Sequence, residues 1–176
     1  MLVVTANWAV SDGTLVATPG PRRTARAWLQ RVRLAAIRSG FGRDGAYRPP
    51  TGLDIVLAGD TLDCLASAAW RGRDRPWHAG SRASDVRRMV LLQCLRRATP
   101  LLAGLAVLVR RGLAAPAADH RGRPSSAATT RVPVSVTLLA GDRDRQIVDL
   151  AAEITARKAV VAQVWCDGAV LVRHGH

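Results

Sequence analysis

Two apolar runs of this chain close on the same tetrapeptide, Leu57-Ala58-Gly59-Asp60 and Leu139-Ala140-Gly141-Asp142. The runs leading into them, residues 53–58 and 132–140, are aliphatic, rich in β-branched residues and of strand length. Both read as buried strands. Leu2-Val3-Val4-Thr5 reads as a shorter buried strand at the start of the chain.

Helical periodicity fills the intervals. Ala25, Trp28, Leu29, Val32, Ala36 and Ile37 recur at helical spacing over 24–39, and Gly40 suits a C-terminal stop. A second helix starts at Ser84 as cap, places Val86, Met89, Val90 and Gln93 on one face, and runs to about Gly112. Pro100 should kink or break it, since proline deletes a backbone donor and clashes with the preceding turn. A third helix is expected over 145–158, with Ile147, Leu150, Ala151 and Ile154 on one side. Two short strands, 160–165 and 169–172, flank Cys166-Asp167-Gly168, where Asp-Gly signals a hairpin turn. Pro19-Gly20-Pro21 punctuates the chain, and 40–52 is a Gly/Pro-rich loop. Residues 70–83, with Trp70, Trp77 and His78, read as an irregular excursion, and 114–131 as a mobile connection. The order strand, helix, strand, helix, strand, helix, hairpin predicts one α/β layered domain over 1–176 with a largely parallel central sheet.

In such sheets ligands gather at the carboxyl ends of the strands. Glycine there allows a sharp turn, and the aspartate after it projects a carboxylate into the crevice. Gly-Asp is also an ordinary turn dipeptide. Its occurrence twice in matching contexts brings a second meaning level with the first: a hard, oxygen-rich site for a divalent cation such as Mg²⁺ or Mn²⁺. Ser11-Asp12-Gly13 adds a carboxylate near the first strand end.

Gly59-Asp60-Thr61-Leu62-Asp63 resembles the G-D-x-x-D motif of the calcineurin-like metallophosphoesterases. Gly141-Asp142-Arg143-Asp144 falls where that family carries G-N-H-[DE]. His174-Gly175-His176 is similar to the histidine motif of the branch containing UDP-2,3-diacylglucosamine pyrophosphatases, and Asn7-Trp8-Ala9 stands where the family has D-x-H. The resemblance implies a layered metallophosphoesterase-like sandwich, present in part because the chain ends before the family's G-H-x-H motif. It also implies hydrolysis of a phosphoester or pyrophosphate in a phosphorylated small molecule or nucleotide-like substrate, using two divalent metal ions, Mn²⁺ or similar. Carried over by position, Asp60 would bridge the metals, and Asp142, His174 and Asn7 would be metal ligands. Arg143 would bind substrate in place of the family's histidine. Asp144, as catalytic residue, would keep the role of that histidine's acidic partner, now paired with an arginine. Ala9 cannot ligate, so the first metal's set is depleted. The alternative is a non-catalytic module on the same scaffold.

Charge offers a further reading. The net charge is +13, and Lys158 is the sole lysine among 26 basic residues. Such a surplus attracts nucleic acid or anionic membranes, but the arginines are scattered in pairs without a dense basic tail, which favours the arginine usage of a GC-rich coding bias for most of them. No aromatic platform or known nucleic-acid motif accompanies it. Cys64, Cys94 and Cys166 are too far apart for a zinc knuckle and suit a reducing, cytoplasmic compartment, as core residues. His78 and His120 read as loop residues. No basic segment precedes the first apolar residues, and the longest apolar run, Leu101 to Val109, is too short to cross a bilayer.

Overall fold

The computed structural model describes residues 1–15, 21–151, 154 and 159–175. Residues Pro19 and Gly20, most of the expected third helix beyond Ala151, and His176 lie outside the described residues.

The chain is α/β, built on a four-stranded, all-parallel sheet. Strands β1 (Leu2–Thr5), β2 (Leu53–Ala58), β5 (Val134–Leu139) and β6 (Val160–Ala162) lie in the order β1-β2-β5-β6. The register sets Thr5 beside Leu57 and Ala58 beside Leu139, so the strands leading into the two repeated tetrapeptides are direct neighbours and end together. Helix α1 (Pro21–Ser39) joins β1 to β2, and α2 (Ser81–Arg111) lies between β2 and β5. A 3-10 helix, Ala68–Arg71, precedes α2, and a second, Arg145–Leu150, stands where the third helix is expected.

Both sheet faces are covered, as the aliphatic strand sequences require. Leu53, Ile55 and Leu57 of β2 and Val134, Val136 and Leu138 of β5 point into the main core. The same core takes Val32 and Ala36 of α1 and a stripe of α2 that includes Val90, Leu91, Leu101 and Leu105. On the opposite face Val56, Ala58 and Leu139 form a smaller cluster with Val172. Val172 belongs to a hairpin of β7 (Val164–Asp167) and β8 (Val170–Arg173), which turns at Asp167-Gly168 as the dipeptide signals.

Four expectations are corrected. Residues 114–131 are not a loose connection: β3 (Leu113–Ala118) and β4 (Pro124–Val132) pair as an antiparallel hairpin. Its turn is held by the Asp119 carboxylate, which accepts the N–H groups of Arg121 and Arg123, and by Gly122 at φ +67°. Buried Tyr47 ties the loop after α1 to this hairpin, donating its hydroxyl to the Pro116 carbonyl. Pro100 does not break α2, which runs unbroken from Ser81. The carbonyl that Pro100 cannot serve belongs to Arg96. Helix α2 starts three residues before Ser84, after Gly80 and without a side-chain cap. By length and composition α2 could cross a bilayer, yet its apolar stripe is part of the core just described. Cys64 and Cys94 are buried, whereas Cys166 on β7 is exposed rather than part of the core.

Candidate functional site

Beyond the strand ends, the chain continues to pair. The Asn7 N–H donates to the Gly59 carbonyl at 3.3 Å, Ala9 N–H to Asp60 at 2.9 Å, and Val10 N–H to Thr61 at 3.1 Å. This register needs left-handed backbone at Asn7 (φ +56°), Ala9 (+47°) and Asp60 (+50°), the positive-φ non-glycine residues among those described. Asparagine tolerates that region, whereas at Ala9 it costs roughly 1–2 kcal/mol. Strain gathered at adjoining strand ends is where functional geometry is commonly held.

The two glycines of the repeated tetrapeptide do different work. Gly59 sits at φ +84°, and a Cβ there would run into the His174 ring. At Gly141 a Cβ would collide with the main-chain nitrogen and Oδ1 of Asp60. One glycine therefore admits the imidazole from the end of β8, and the other lets the two strand ends close on each other.

Asp60, Asp142, Arg143 and His174 are brought together. Asp60 Oδ1 accepts the Arg143 main-chain N–H at 3.0 Å. The Arg143 guanidinium spans two carboxylates, donating from Nη1 to Asp63 Oδ2 at 2.9 Å with its Nε 3.7 Å from Asp60 Oδ2. His174 Nδ1 stands 3.1 Å from the Ala58 carbonyl; since a carbonyl only accepts, that nitrogen carries the proton. Nε2 then faces Asp142 Oδ2 at 3.6 Å and Asp60 Oδ1 at 4.0 Å. The bond to Ala58, followed by the negative charges of Asp60 and Asp142, holds His174 above the usual imidazole range despite partial burial.

Asp144 is fully buried. Its two oxygens accept the main-chain N–H groups of Leu62 (3.0 Å) and Gly141 (2.7 Å), joining the loops after β2 and β5. Burial raises its carboxyl above the usual range, against the pull of these hydrogen bonds. The expected pairing of Asp144 with Arg143 is thus replaced: the arginine turns to Asp60 and Asp63, and Asp144 fixes the backbone that carries them. Asn7 is exposed at the same edge. Asp12, the carboxylate that the sequence sets near the first strand end, is engaged elsewhere. It accepts from Ser67 Oγ and from the amide and hydroxyl of Thr14, which tie the first loop to the 3-10 turn. Burial would lift the Asp12 carboxyl, but these bonds and nearby Arg97 hold it below the usual value.

Asp63 is the participant that position-by-position reading passed over. It is buried, accepts from Leu65 and Ala66 through Oδ1, and anchors Arg143 through Oδ2. The signal was present as the last aspartate of G-D-x-x-D. Two clefts meet at Asp142. One of about 340 Å³ is lined by Gly141, Arg145, Gln163 and His174. The other, of about 270 Å³, is lined by Trp70, Trp77, Arg87, Arg143 and Arg145. His78 caps the loop of the second, accepting the Arg75 N–H on Nδ1, and His120 is exposed in the β3–β4 turn.

Among the described residues, no group of three or more His, Cys, Asp or Glu side chains is placed to hold a metal ion. Ligands sharing a cation at about 2.1 Å lie about 3 Å apart. Asp60 Oδ1 and Asp142 Oδ2 are 4.0 and 3.6 Å from His174 Nε2, wider than that spacing, so the three side chains do not form a cation seat as they stand. An imidazole oriented by a carbonyl on its far nitrogen is the usual support of such a ligand. A second ion does not fit equally well, because Ala9 offers no donor and Arg143 already places a cation over Asp60 and Asp63. No protein-family model, curated protein or solved structure matches this chain.

Proposed function

We propose that this chain is a metallophosphoesterase-like hydrolase that cleaves a phosphoester or pyrophosphate bond with a single divalent cation, Mn²⁺ or similar. The observation that supports this is the meeting of Asp60, Asp142 and the oriented His174 at neighbouring strand ends, beside a half-exposed arginine. Those three residues would hold the ion, with the Asn7 amide at the depleted first-metal position. When bound, the cation would lower the pKa of a water so that hydroxide is available at neutral pH to attack phosphorus, and would offset charge on the phosphoryl oxygens. Arg143 can turn its guanidinium from the carboxylates to a phosphoryl oxygen, where it binds in bidentate fashion. Asp63 steadies it, and Asp144 acts as a positioning residue. The substrate class is a phosphorylated small molecule or nucleotide-like compound, met in the cytoplasm. The test is Mn²⁺-dependent release of nitrophenol from bis(p-nitrophenyl) phosphate. Loss of that release in Asp60→Asn and in His174→Ala is expected; no release by the unaltered protein at any Mn²⁺ concentration would end the reading.

A second reading is favoured by one observation: the Arg143 guanidinium lies on Asp60 and Asp63 as a built-in cation. On this reading the scaffold is a non-catalytic module that binds phosphate groups without metal. Inorganic phosphate binding that survives chelator, in a protein without turnover, would select it.

A further inference from the structure

The positive charge of this molecule is concentrated on one layer. Helices α1 and α2 together carry thirteen arginines and one acidic residue, Asp85. The sheet side of both helices is core, and those of these arginines whose side chains are described are exposed except the half-buried Arg87; Arg82 pairs with Asp74, Arg87 bonds the Pro76 and His78 carbonyls, and Arg97 lies beside Asp12 and Gly13. Between α1, the C-terminal end of α2 and the β3–β4 hairpin runs a groove of about 470 Å³. Arg26, Arg33, Arg111 and Arg131 rim it. Its floor is aliphatic, with Leu29, Val107 and Leu108, and no acidic or aromatic residue lines it. Among the described residues, no salt bridge engages any of the four arginines. Val107 is 40% exposed, and Leu34, one step round α1 from Gln30 and Arg33, is 54% exposed.

We infer that this helical face docks on an anionic lipid bilayer, lying on the membrane surface rather than crossing it. Guanidinium groups on the rim take lipid phosphates in bidentate fashion, and the aliphatic floor and exposed Leu34 meet the first carbons of the acyl chains. A nucleic acid would find phosphate partners here but no ring on which to stack a base, and it would gain nothing from an aliphatic floor. The groove is remote from the strand-end site: Arg87, which lines a cleft there, precedes Val107 by 20 residues, about 30 Å along α2. Docking is therefore independent of the chemistry proposed for that site.

Co-sedimentation with vesicles tests the inference, comparing phosphatidylcholine alone with phosphatidylcholine containing phosphatidylglycerol. The protein should pellet with the anionic vesicles only. Each arginine at an anionic surface adds about 1 kcal/mol, so the double variant Arg26→Glu/Arg33→Glu should lower the partition coefficient about tenfold or more. Arg111→Glu/Arg131→Glu should do the same from the other side of the groove. Val107→Ser should lower it about threefold, which charge alone does not explain. Arg43→Glu/Arg121→Glu changes the net charge equally at exposed positions outside the groove and should cost no more than about threefold. Three results would each overturn the inference: no anionic vesicle binding, equal losses in the groove and control variants, or tight duplex DNA binding with vesicles ignored.

Discussion

Gly141→Ala adds one methyl group where the two strand ends close. The backbone at Gly141 has no left-handed requirement, so the penalty is purely steric. The new Cβ would overlap the Asp60 main-chain nitrogen, a backbone atom that cannot swing aside, as well as Asp60 Oδ1. Overpacking of this kind costs about 1–3 kcal/mol. For a chain of this size that lowers the melting temperature by roughly 3–10 °C. The shift must displace Asp60, so Mn²⁺ affinity should fall by about tenfold or more. Gly104→Ala is the internal control: it lies inside α2 with nothing near a Cβ, and it should stabilise the protein by about 0.5–1 kcal/mol. Differential scanning calorimetry with a parallel Mn²⁺ titration reads both effects. A Gly141→Ala protein with unchanged melting temperature and unchanged Mn²⁺ affinity would refute the close approach of Asp60 to the end of β5.

Other consequences follow from the same geometry. Arg143→Gln removes a unit positive charge that stands 3.7 Å from Asp60. Because the guanidinium is half exposed, a water-like dielectric applies; a divalent ion about 5 Å away then gains about 1.5 kcal/mol, and Mn²⁺ affinity should rise about tenfold by isothermal calorimetry. The His174 imidazole is held above its ordinary value of 6.5, so its stabilising contribution is complete below that pH and fades as pH rises through the folded value. In chelator, the melting temperature should decline across that window, and His174→Gln should flatten the decline. Tyr47→Phe deletes the bond to the Pro116 carbonyl and should cost about 1 kcal/mol in urea unfolding.

The strands were legible because short aliphatic runs bounded by turn residues leave little ambiguity, and the repeated Gly-Asp marks where they end. Register then made neighbours of residues 57–60 and 139–142, something spacing along the chain suggests but cannot fix. The β3–β4 hairpin was hidden because Ala, Ser and Pro have weak strand preference and its pairing is secured from outside, by Tyr47 and the Asp119 turn. Pro100 does not end α2 because packing of the helix's apolar stripe in the core, which local sequence does not reveal, continues on both sides of it. The sequence pairs Arg143 with Asp144, whereas in space it turns to Asp60 and Asp63. Its turn toward Asp60 and Asp63 depends on the burial of Asp144, which is already satisfied by two backbone amides.

The account rests on Asp60, Asp142 and His174 forming one cation seat, and calorimetric titration of Mn²⁺ into the chelator-treated protein tests this most directly. The result predicted is one ion per chain, with binding abolished by Asp60→Asn and weakened by Asp142→Asn. Two ions per chain, or one whose affinity is indifferent to Asp60→Asn, would contradict it.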